Sequence, residues 1–303
     1  DFFQLHPVGG NPLYADVLSG SATRSKTEIA LRLAGVAQFK QFRMLELKKQ
    51  GRKAFVAYIT AGDPSPSKTP ELVFALEKAG VDIVELGIPF SDPLADGIVN
   101  QMAAQRSLEA GTTVPKILEM IRVIRQKSSI PLVLFTYLNP IYAYGLQKFY
   151  TDAAQAGADG VLILDLPPEE AAISQAQSPK DFRHIWLISP TTPPDRVEAL
   201  CKLSSGFIYY VSREGVTGMQ KTVSTSIPDQ VRRIQSHTQV PICVGFGVSD
   251  PGQAQQIAQI ADGVVIGSAI VKKIEDWNKD DALAQKLLDF VAPFASAIHT
   301  NPQ

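Results

Sequence analysis

The stretch from Ala54 to Leu86 reads AFVAYITAGDPSPSKTPELVFALEKAGVDIVEL, and its pattern decides the fold class. A run of aliphatic and β-branched residues, Ala54–Thr60, is followed by a turn, by a helically spaced segment and by a second apolar run, Asp82–Leu86. This order predicts a β-α-β unit. The alternation recurs along the chain, and the further apolar runs are Leu132–Phe135, Gly160–Leu164, His184–Ile188, Phe207–Val211, Pro241–Gly245 and Gly263–Ile266.

The apolar runs are nearly continuous in character and do not alternate with polar residues. Strands of that kind are buried on both faces, as in parallel sheets covered by helices. Their number, about eight, is the number that closes a parallel barrel, so the sequence predicts a (β/α)8 TIM barrel. A doubly wound open sheet stays an alternative, because element order does not show closure. The predicted helices are Pro70–Ala79, Val114–Gln126, Leu146–Ala156, Pro194–Leu203, Ser226–Ser236, Pro251–Ile260 and Asp280–Ile298.

Short repeats precede three of the predicted strands. They are Ala-Gly-Val-Asp at 79–82, Ala-Gly-Ala-Asp at 156–159 and Ala-Asp-Gly-Val at 261–264. Glycine accepts a positive φ, which a helix end followed by a tight turn requires. We therefore expect a turn at the entry to each of these strands.

Charge and composition exclude several classes of partner. The 303 residues carry 29 Lys and Arg against 30 Asp and Glu, a net charge of −1, so we expect no nucleic acid partner. No apolar run approaches the roughly 18 residues that cross a bilayer, so we expect a soluble protein without a membrane partner. The two cysteines, Cys201 and Cys243, cannot build a disulfide framework or a zinc site, which favours a reducing compartment, the cytoplasm.

The chain divides by composition into two regions. We expect residues 1–40 to be an N-terminal extension of unknown role and residues 41–303 to be the catalytic barrel domain. Residues 1–20 have no stable period, and Ser25–Phe39 has the spacing of a short amphipathic helix. The extension is too acidic for a transit peptide and lacks the apolar core of a secretory signal.

In a parallel barrel the reacting groups lie where strands end, and the second predicted strand supplies acids there. Glu85 ends that strand inside an apolar run, where burial would raise its pKa toward the range of a general acid and base. The loop Gly87–Gly97 follows and carries Asp92 and Asp96. The alternatives are a core carboxylate satisfied by a backbone amide for Glu85, and turn-forming residues for the two aspartates.

The late loops carry glycines instead. Gly215–Gly218, Gly245–Gly247 and Gly267-Ser268 each follow a predicted strand, and Ser268 opens a helix. Backbone amides in such loops can approach an anion, and this is the usual phosphate position of the fold. No Lys or Arg lies in the last two segments, so we expect backbone amides and the Ser268 hydroxyl to hold a phosphate. Plain turn glycines are the alternative.

Other catalytic motifs are absent from the sequence. There is no Walker sequence, no G-x-S-x-G elbow and no H-E-x-x-H, and the four histidines are scattered. We therefore expect neither a metal nor a cofactor. No lysine ends a strand, which argues against a Schiff-base aldolase.

Three segments resemble the α subunit family of tryptophan synthase: Ala57–Pro64 (AYITAGDP), Glu85–Gly97 (ELGIPFSDPLADG) and Ser212–Gly218 (SREGVTG). The resemblance extends over about Glu46 to Val291. It implies a (β/α)8 barrel that cleaves indole-3-glycerol phosphate by a retro-aldol step into indole and glyceraldehyde 3-phosphate, in tryptophan biosynthesis. It also implies no cofactor in this subunit and a β subunit partner in an α2β2 complex.

Residue roles follow from the same resemblance. It implies that Glu85 is the general acid and base, and that Asp96 stabilises positive charge on the indole N–H. The positions implied to enclose the substrate are Tyr58, Phe135, Tyr137, Leu162, Leu164, Tyr209 and Phe246, with Thr217 in a loop that closes over it. The implied phosphate cradle is Gly218, Gly247, Gly267 and Ser268.

A partner-facing rim is expected from the resemblance and from the position of two loops. Asp92 and Pro93 follow the second strand, and Asn139 and Pro140 follow the third, so the four should cluster. Ordinary Asp-Pro and Asn-Pro turns are the alternative. The family usually has a proline and then apolar residues after Asp96-Gly97, where this chain has Ile98–Gln101. Because a proline fixes φ, we expect weaker catalytic geometry or partner coupling here.

Competing functions remain at this stage. A stand-alone lyase that releases free indole would need the same residues. A catalytically idle activator of a β subunit is disfavoured by the presence of Glu85 and Asp96, and a phosphate-binding isomerase is disfavoured by the acidic loop after the second strand. We also expect the loops Gly87–Gln101 and Arg213–Gln220 to be more mobile than the strands they follow.

Overall fold

The computed structural model describes residues 44–212, 226–245 and 247–300. Its eight strands are all parallel to their neighbours and close into a barrel in chain order, with β8 paired to β1. The predicted TIM barrel is confirmed, and the open sheet is excluded. The strands are β1 Ala54–Thr60, β2 Ile83–Gly87, β3 Leu132–Thr136, β4 Gly160–Ile163, β5 Arg183–Ile188, β6 Ile208–Val211, β7 Ile242–Gly245 and β8 Gly263–Ile266.

Helices follow the strands and cover the outside of the barrel. Within the described ranges, none is long and apolar enough to cross a bilayer. They are α1 Thr69–Lys78, α2 Ile98–Glu109, α3 Val114–Arg125, α4 Leu138–Tyr144, α5 Leu146–Ala156, α6 Ala171–Ala176, α7 Pro194–Leu203, α8 Ile227–Gln235, α9 Pro251–Ile260, α10 Ser268–Asp276 and α11 Leu283–His299, with a 3-10 turn at Pro168–Glu170.

Alternate residues of each strand divide the apolar side chains between two cores. Outward residues pack against the helices, as Val84 and Leu86 of β2 do. Inward residues fill the barrel, so the interior is a packed core and not a pore. The interior cluster includes Val56, Ile83, Val133, Leu162, Ile185, Tyr209, Cys243 and Val265. Met44 and Leu47, from the helical residues 44–49, belong to it as well.

The aspartates of the three sequence repeats have one structural task. The carboxylate of Asp82 accepts a hydrogen bond from the backbone N–H of Phe55 at 2.9 Å, Asp159 from Leu132 at 2.8 Å, and Asp262 from Ile242 at 2.9 Å. Each carboxylate thus satisfies a backbone N–H at the start of the preceding strand. Gly80 and Gly157 have φ of 101° and 104°, as expected for those turns. These residues serve the stability of the barrel at the end opposite the catalytic loops.

Two helices occur where the sequence predicted loops. The predicted loop Gly87–Gln101 ends at Gly97, because α2 begins at Ile98. Asn139 and Pro140, for which an ordinary Asn-Pro turn was the alternative interpretation, lie in the first turn of α4. A proline is compatible with that position, because the first N–H groups of a helix have no intrahelical acceptor. The predicted extension, residues 1–40, and the loop Arg213–Gln220 lie outside the described residues.

Candidate functional site

Glu85 lies inside the barrel and not at the strand end. It is the third residue of β2, between Tyr58 of β1 and Val133 of β3 in register. Only 1% of the residue is exposed, and its Oε1 has no hydrogen-bond partner among the described residues. Burial in this apolar setting raises the pKa of the carboxyl to about 8. The group is therefore mostly protonated at neutral pH.

The phenol of Tyr58 lies within electrostatic reach of both site carboxylates. Burial raises its pKa, and Asp96 and Glu85 raise the pKa further. Its hydroxyl is 3.4 Å from Oγ1 of Thr60, a residue that sequence reasoning missed, and its ring meets Phe135 edge-on with centroids 5.0 Å apart. A Cβ at Gly87 would lie 2.2 Å from the Tyr58 hydroxyl oxygen. The close approach of the phenol to β2 therefore requires glycine there.

Asp96 is held by three side chains. Tyr137 donates its O–H to Oδ2 at 2.8 Å, Nδ2 of Asn100 is 3.4 Å from Oδ1, and Gln101 donates to the Asp96 carbonyl at 2.8 Å. Burial raises the pKa of Asp96, and the bonds from Tyr137 and Asn100 oppose that rise. The same carboxylate, together with burial, raises the pKa of the Tyr137 phenol, which therefore remains a hydrogen-bond donor.

A narrow cavity of about 10 Å³ lies beside Tyr58 and Asp96 at the carboxyl end of the barrel, and Glu85 is not among its lining residues. Tyr58, Phe135, Tyr137 and Asp96 line it, and so do residues that sequence reasoning missed: Thr60, Ile88, Pro89, Phe90, Asn100, Ala104 and Thr136. Leu162 and Tyr209 lie in the barrel interior, and Leu164 packs against the same cluster. Burial raises the pKa of Tyr209 and the nearby Glu85 raises it further, so the two side chains are electrostatic neighbours. Phe246 and Thr217 lie outside the described residues.

The candidate phosphate residues follow two adjacent strands. Gly247 comes after β7 with φ of 80°, and a Cβ there would meet no atom within 4 Å. Gly267 caps the N-terminus of α10 and Ser268 is its first residue, exposed to solvent. Because β7 and β8 are paired, these groups share one edge of the barrel. A helix N-terminus and open space beside a glycine suit an anion. Gly218, the fourth expected member, is not among the described residues.

The rim contains a groove of about 240 Å³. Its lining consists of Ile88–Ser91, Asn139 and Pro140, and five residues between Leu108 and Ile117. Asp92 is exposed beside the groove but does not line it, and Pro93 lines the narrow cavity with Asp96. Three residues of the expected four-residue rim are thus divided between two concave features, and Asp92 lines neither of them.

Known protein families and sequences contain clear relatives of this chain. The sequence model of one family, described as tryptophan synthase alpha chain, matches residues 44–299. The chain belongs to the tryptophan synthase alpha chain family. It is 47% identical over 253 residues to the tryptophan synthase alpha chain of Geotalea uraniireducens, covering 83% of this chain and 94% of that one. The alpha chain of Geobacter sulfurreducens is 48% identical over 254 residues, covering 84% and 96%.

Solved structures agree with this family assignment. Tryptophan synthase subunit alpha of Legionella pneumophila has a TM-score of 0.75 at 35% identity, covering 86% of this chain and 98% of that one. A chain of tryptophan synthase from M. tuberculosis has a TM-score of 0.77 at 31% identity, covering 86% and 99%. The activity is that of a tryptophan synthase alpha chain, the cleavage of indole-3-glycerol phosphate in tryptophan biosynthesis, and the protein is a lyase.

Ile98 follows Gly97 at the position where the sequence resemblance led us to expect a proline. The first turn of α2 restrains this segment without a proline. The N–H of Gln101 donates to the carbonyl of Gly97 at 3.0 Å, and the Gln101 side chain donates to the Asp96 carbonyl. Ile98 is also 60% exposed, with Leu94 at 80% before it and Met102 at 39% one turn later. We define these three residues as the apolar rim.

Arg106 of α2 is a further residue that sequence reasoning missed. Its guanidinium donates to both carboxylate oxygens of Asp63 at 2.8 and 2.9 Å, and to Glu275 of α10 at 2.9 Å. Asp63 is 1% exposed, so the pair is shielded from solvent. One cation thus joins the loop after β1, the helix that follows Asp96, and the helix that Ser268 begins.

Proposed function

We propose that Glu85 is the general acid and base of indole-3-glycerol phosphate cleavage. The observation that carries this role is a fully buried carboxyl with a pKa raised to about 8 and an oxygen that binds no described residue. A carboxylic acid that is protonated at neutral pH can deliver a proton to C3 of the indole. The resulting carboxylate can then take a proton.

The proposed reaction balances with this one group. Protonation of C3 converts the ring to a cationic indolenine, which serves as the electron sink. Glu85, now ionised, takes the proton of the hydroxyl next to the breaking bond. That oxygen forms a carbonyl, the C–C bond breaks, and its electron pair returns to the ring. The products are indole and glyceraldehyde 3-phosphate, and Glu85 is protonated again.

Asp96 supports the cation in this proposal. An ionised carboxylate facing the indole N–H stabilises positive charge that develops on the ring. The hydrogen bonds from Tyr137 and Asn100 favour the ionised form, which opposes the effect of burial. Tyr58, Phe135 and Tyr137 supply aromatic walls for the ring. Leu162, Leu164, Tyr209 and Phe246 are proposed to complete the enclosure, with Thr217 closing over it.

The phosphate is proposed to bind at Gly247, Gly267 and Ser268, with Gly218. The support is the position of the first three beside paired strands and at a helix N-terminus. A ring bound near Asp96 and a phosphate near Ser268 would place the glycerol chain across the carboxyl end of the barrel, where Glu85 points inward.

We further propose a β subunit as partner in an α2β2 complex. The Legionella relative is named subunit alpha, and the apolar rim Leu94, Ile98 and Met102 offers this chain a docking surface. Asp92 and Pro93 lie in the loop between β2 and α2, and Asn139 and Pro140 lie in the first turn of α4. Cytoplasmic location is part of this proposal and is supported by two buried free cysteines. Residues 41–303 are proposed as the catalytic domain.

The test is indole release from indole-3-glycerol phosphate by the purified chain, with and without a pyridoxal-phosphate β subunit. Slow release alone and faster release in the mixture support the subunit. Fast release alone with no activation favours a stand-alone lyase. No release under either condition rejects the catalytic proposal and favours the idle activator.

A further inference from the structure

Asn100 is a polar side chain placed in the wall of the aromatic cavity. It is the third residue of α2 and follows Asp96 by four positions. The cavity that it lines has rings and aliphatic groups in its wall, among them Tyr58, Phe135 and Pro89, together with the polar side chains of Thr60, Thr136 and Asp96. A polar group in such a wall costs desolvation unless a partner satisfies it.

The two ends of the Asn100 amide have different surroundings. Its Nδ2 is 3.4 Å from Oδ1 of Asp96, and only the NH2 end of an amide interacts favourably with a carboxylate. Oδ1 must therefore point away from Asp96. That oxygen is fully buried and accepts no hydrogen bond from any residue that the structure describes. It is thus an acceptor without a described donor, in a side chain that lines the cavity.

No described hydroxyl of the cavity wall is hydrogen-bonded to this oxygen. The Tyr137 hydroxyl donates to Asp96, the Thr136 hydroxyl donates to the Tyr137 carbonyl, and the hydroxyls of Tyr58 and Thr60 lie 3.4 Å from each other. The indole ring of the unsubstituted substrate has a single N–H, which the proposed function assigns to Asp96. An amide oxygen such as that of Asn100 can accept a hydrogen bond from a second donor on the ring. Buried amide oxygens are rarely left without a partner, so a ligand that supplies one gains affinity.

We propose that Asn100 is a specificity-determining residue, through its Oδ1, for indole-3-glycerol phosphates that carry a hydroxyl or amino group on the benzo ring. This inference rests on the proposed function, because it takes Asp96 as the partner of the indole N–H. A methyl group of similar size supplies no donor and leaves the amide oxygen unpaired. A site built to hydrogen-bond a hydroxyl discriminates strongly against an analogue that lacks it.

The experiment compares substrates with a hydroxyl or a methyl at each free carbon of the benzo ring. The readout is the ratio of kcat/KM for hydroxyl over methyl at the same position. In the native chain we expect one position at which the ratio exceeds about tenfold. Asn100→Leu has a similar shape and no acceptor, so its ratio there should fall below one. Asn100→Ala should lower the ratio as well. Because alanine is a strong helix former, this second variant keeps the test valid if Asn100→Leu does not fold.

Gln101→Leu is the matched control. Gln101 is the adjacent amide, but it binds the backbone of Asp96 and does not line the cavity, so its variant should keep the native ratio. A ratio near one at every position in the native chain, or an equal ratio in the native chain and both Asn100 variants, overturns the proposal. Binding of free hydroxyindoles against methylindoles, measured by calorimetry, gives the same ratio without turnover. Failure of indole release with an intact binding preference would reject the proposed function alone.

Discussion

The hydroxyl of Tyr137 connects β3 to the acidic loop after β2 by two hydrogen bonds. It donates to Oδ2 of Asp96 at 2.8 Å and accepts from the backbone N–H of Ala95 at 2.9 Å. The carboxylate and the backbone beside it are therefore bound by one phenol, which directly follows a neighbouring strand. Asp96 thus depends on a residue distant in sequence as well as on the nearby Asn100 and Gln101.

Tyr137→Phe should reduce kcat/KM by about tenfold or more, because a hydrogen bond to a charged group contributes about 1.5–3 kcal/mol. The Tyr137 hydrogen bond lowers the pKa of Asp96, so its loss should raise that pKa and move the acid limb of the pH profile to higher pH. Steady-state kinetics across pH measures both effects. Tyr142→Phe is the control, since Tyr142 is 74% exposed on α4. An unchanged acid limb would show that Tyr137 does not act on Asp96.

Glu85→Gln should lower kcat by about 10² to 10⁴, because the variant keeps the shape and loses the titrating group. KM should change little. The measurement is indole formation at saturating substrate, with Glu119→Gln as a surface control on α3. Near-normal turnover by Glu85→Gln would reject the role assigned to Glu85.

The raised pKa of Glu85 has a consequence for stability. The carboxyl has a pKa of about 8 in the folded chain against an ordinary value of 4.5, so the unfolded chain loses the proton first as pH rises. Its contribution to stability is therefore complete below pH 4.5 and is lost as pH rises to about 8, by at most about 1.4 kcal/mol per pH unit.

Urea denaturation of the native chain and of Glu85→Gln tests this sign. The free energy of unfolding of the native chain, relative to the variant, should fall between about pH 5.5 and about pH 8.5. A difference that is constant with pH, or that grows, would contradict a raised pKa.

Gly247→Ala should weaken binding of inorganic phosphate and raise the KM for substrate. The new methyl would occupy the open space beside the proposed anion position, and the positive φ adds about 1 kcal/mol of strain. Gly51→Ala is a matched control, since Gly51 has φ of 67°, equally open surroundings and a position before β1. Equal effects of both variants on phosphate affinity would place the anion elsewhere.

Leu94→Ser should reduce activation by a β subunit more than it reduces basal cleavage. Leu94 is 80% exposed in the apolar rim, and burial of such a side chain contributes about 1.5–3 kcal/mol. Asn139→Ala tests the groove in the same assay. Ile173→Ser is the control, because Ile173 is 60% exposed on α6. Proportional loss of basal and activated rates in Leu94→Ser would argue against a docking role.

The strands could be predicted because burial on both faces leaves a continuous apolar run. β2 shows the limit of this method. It is Ile83–Gly87, whereas the apolar run suggested Asp82–Leu86. Asp82 is apart from the strand because its carboxylate binds Phe55, and Gly87 belongs to it because it pairs with Thr60 and Phe135. Such partners become visible only when the barrel closes.

Helix α2 was missed because its buried side is formed by small residues. Ala103, Ala104 and Ser107 pack inward, so no broad apolar stripe marks the helix. The acids of the site could be identified from sequence, since they stand out in apolar surroundings. Arg106 could not, because its partners lie 43 and 169 residues away. For Asn100, the local signal in the sequence was its position four residues after Asp96.

The ion pairs of Arg106 fix the distance between two parts of the proposed site. Its guanidinium joins α2 to α10, the helices next to Asp96 and Ser268. If those residues hold the ring and the phosphate as proposed, the protein sets the gap between them before any ligand arrives. Substrates are then selected by the length of the chain between the ring and the phosphate. A linker one carbon longer or shorter than glycerol would misplace the reacting bond relative to Glu85. Replacing Arg106 by an uncharged residue would let this distance vary and would broaden the range of chain lengths that the site accepts.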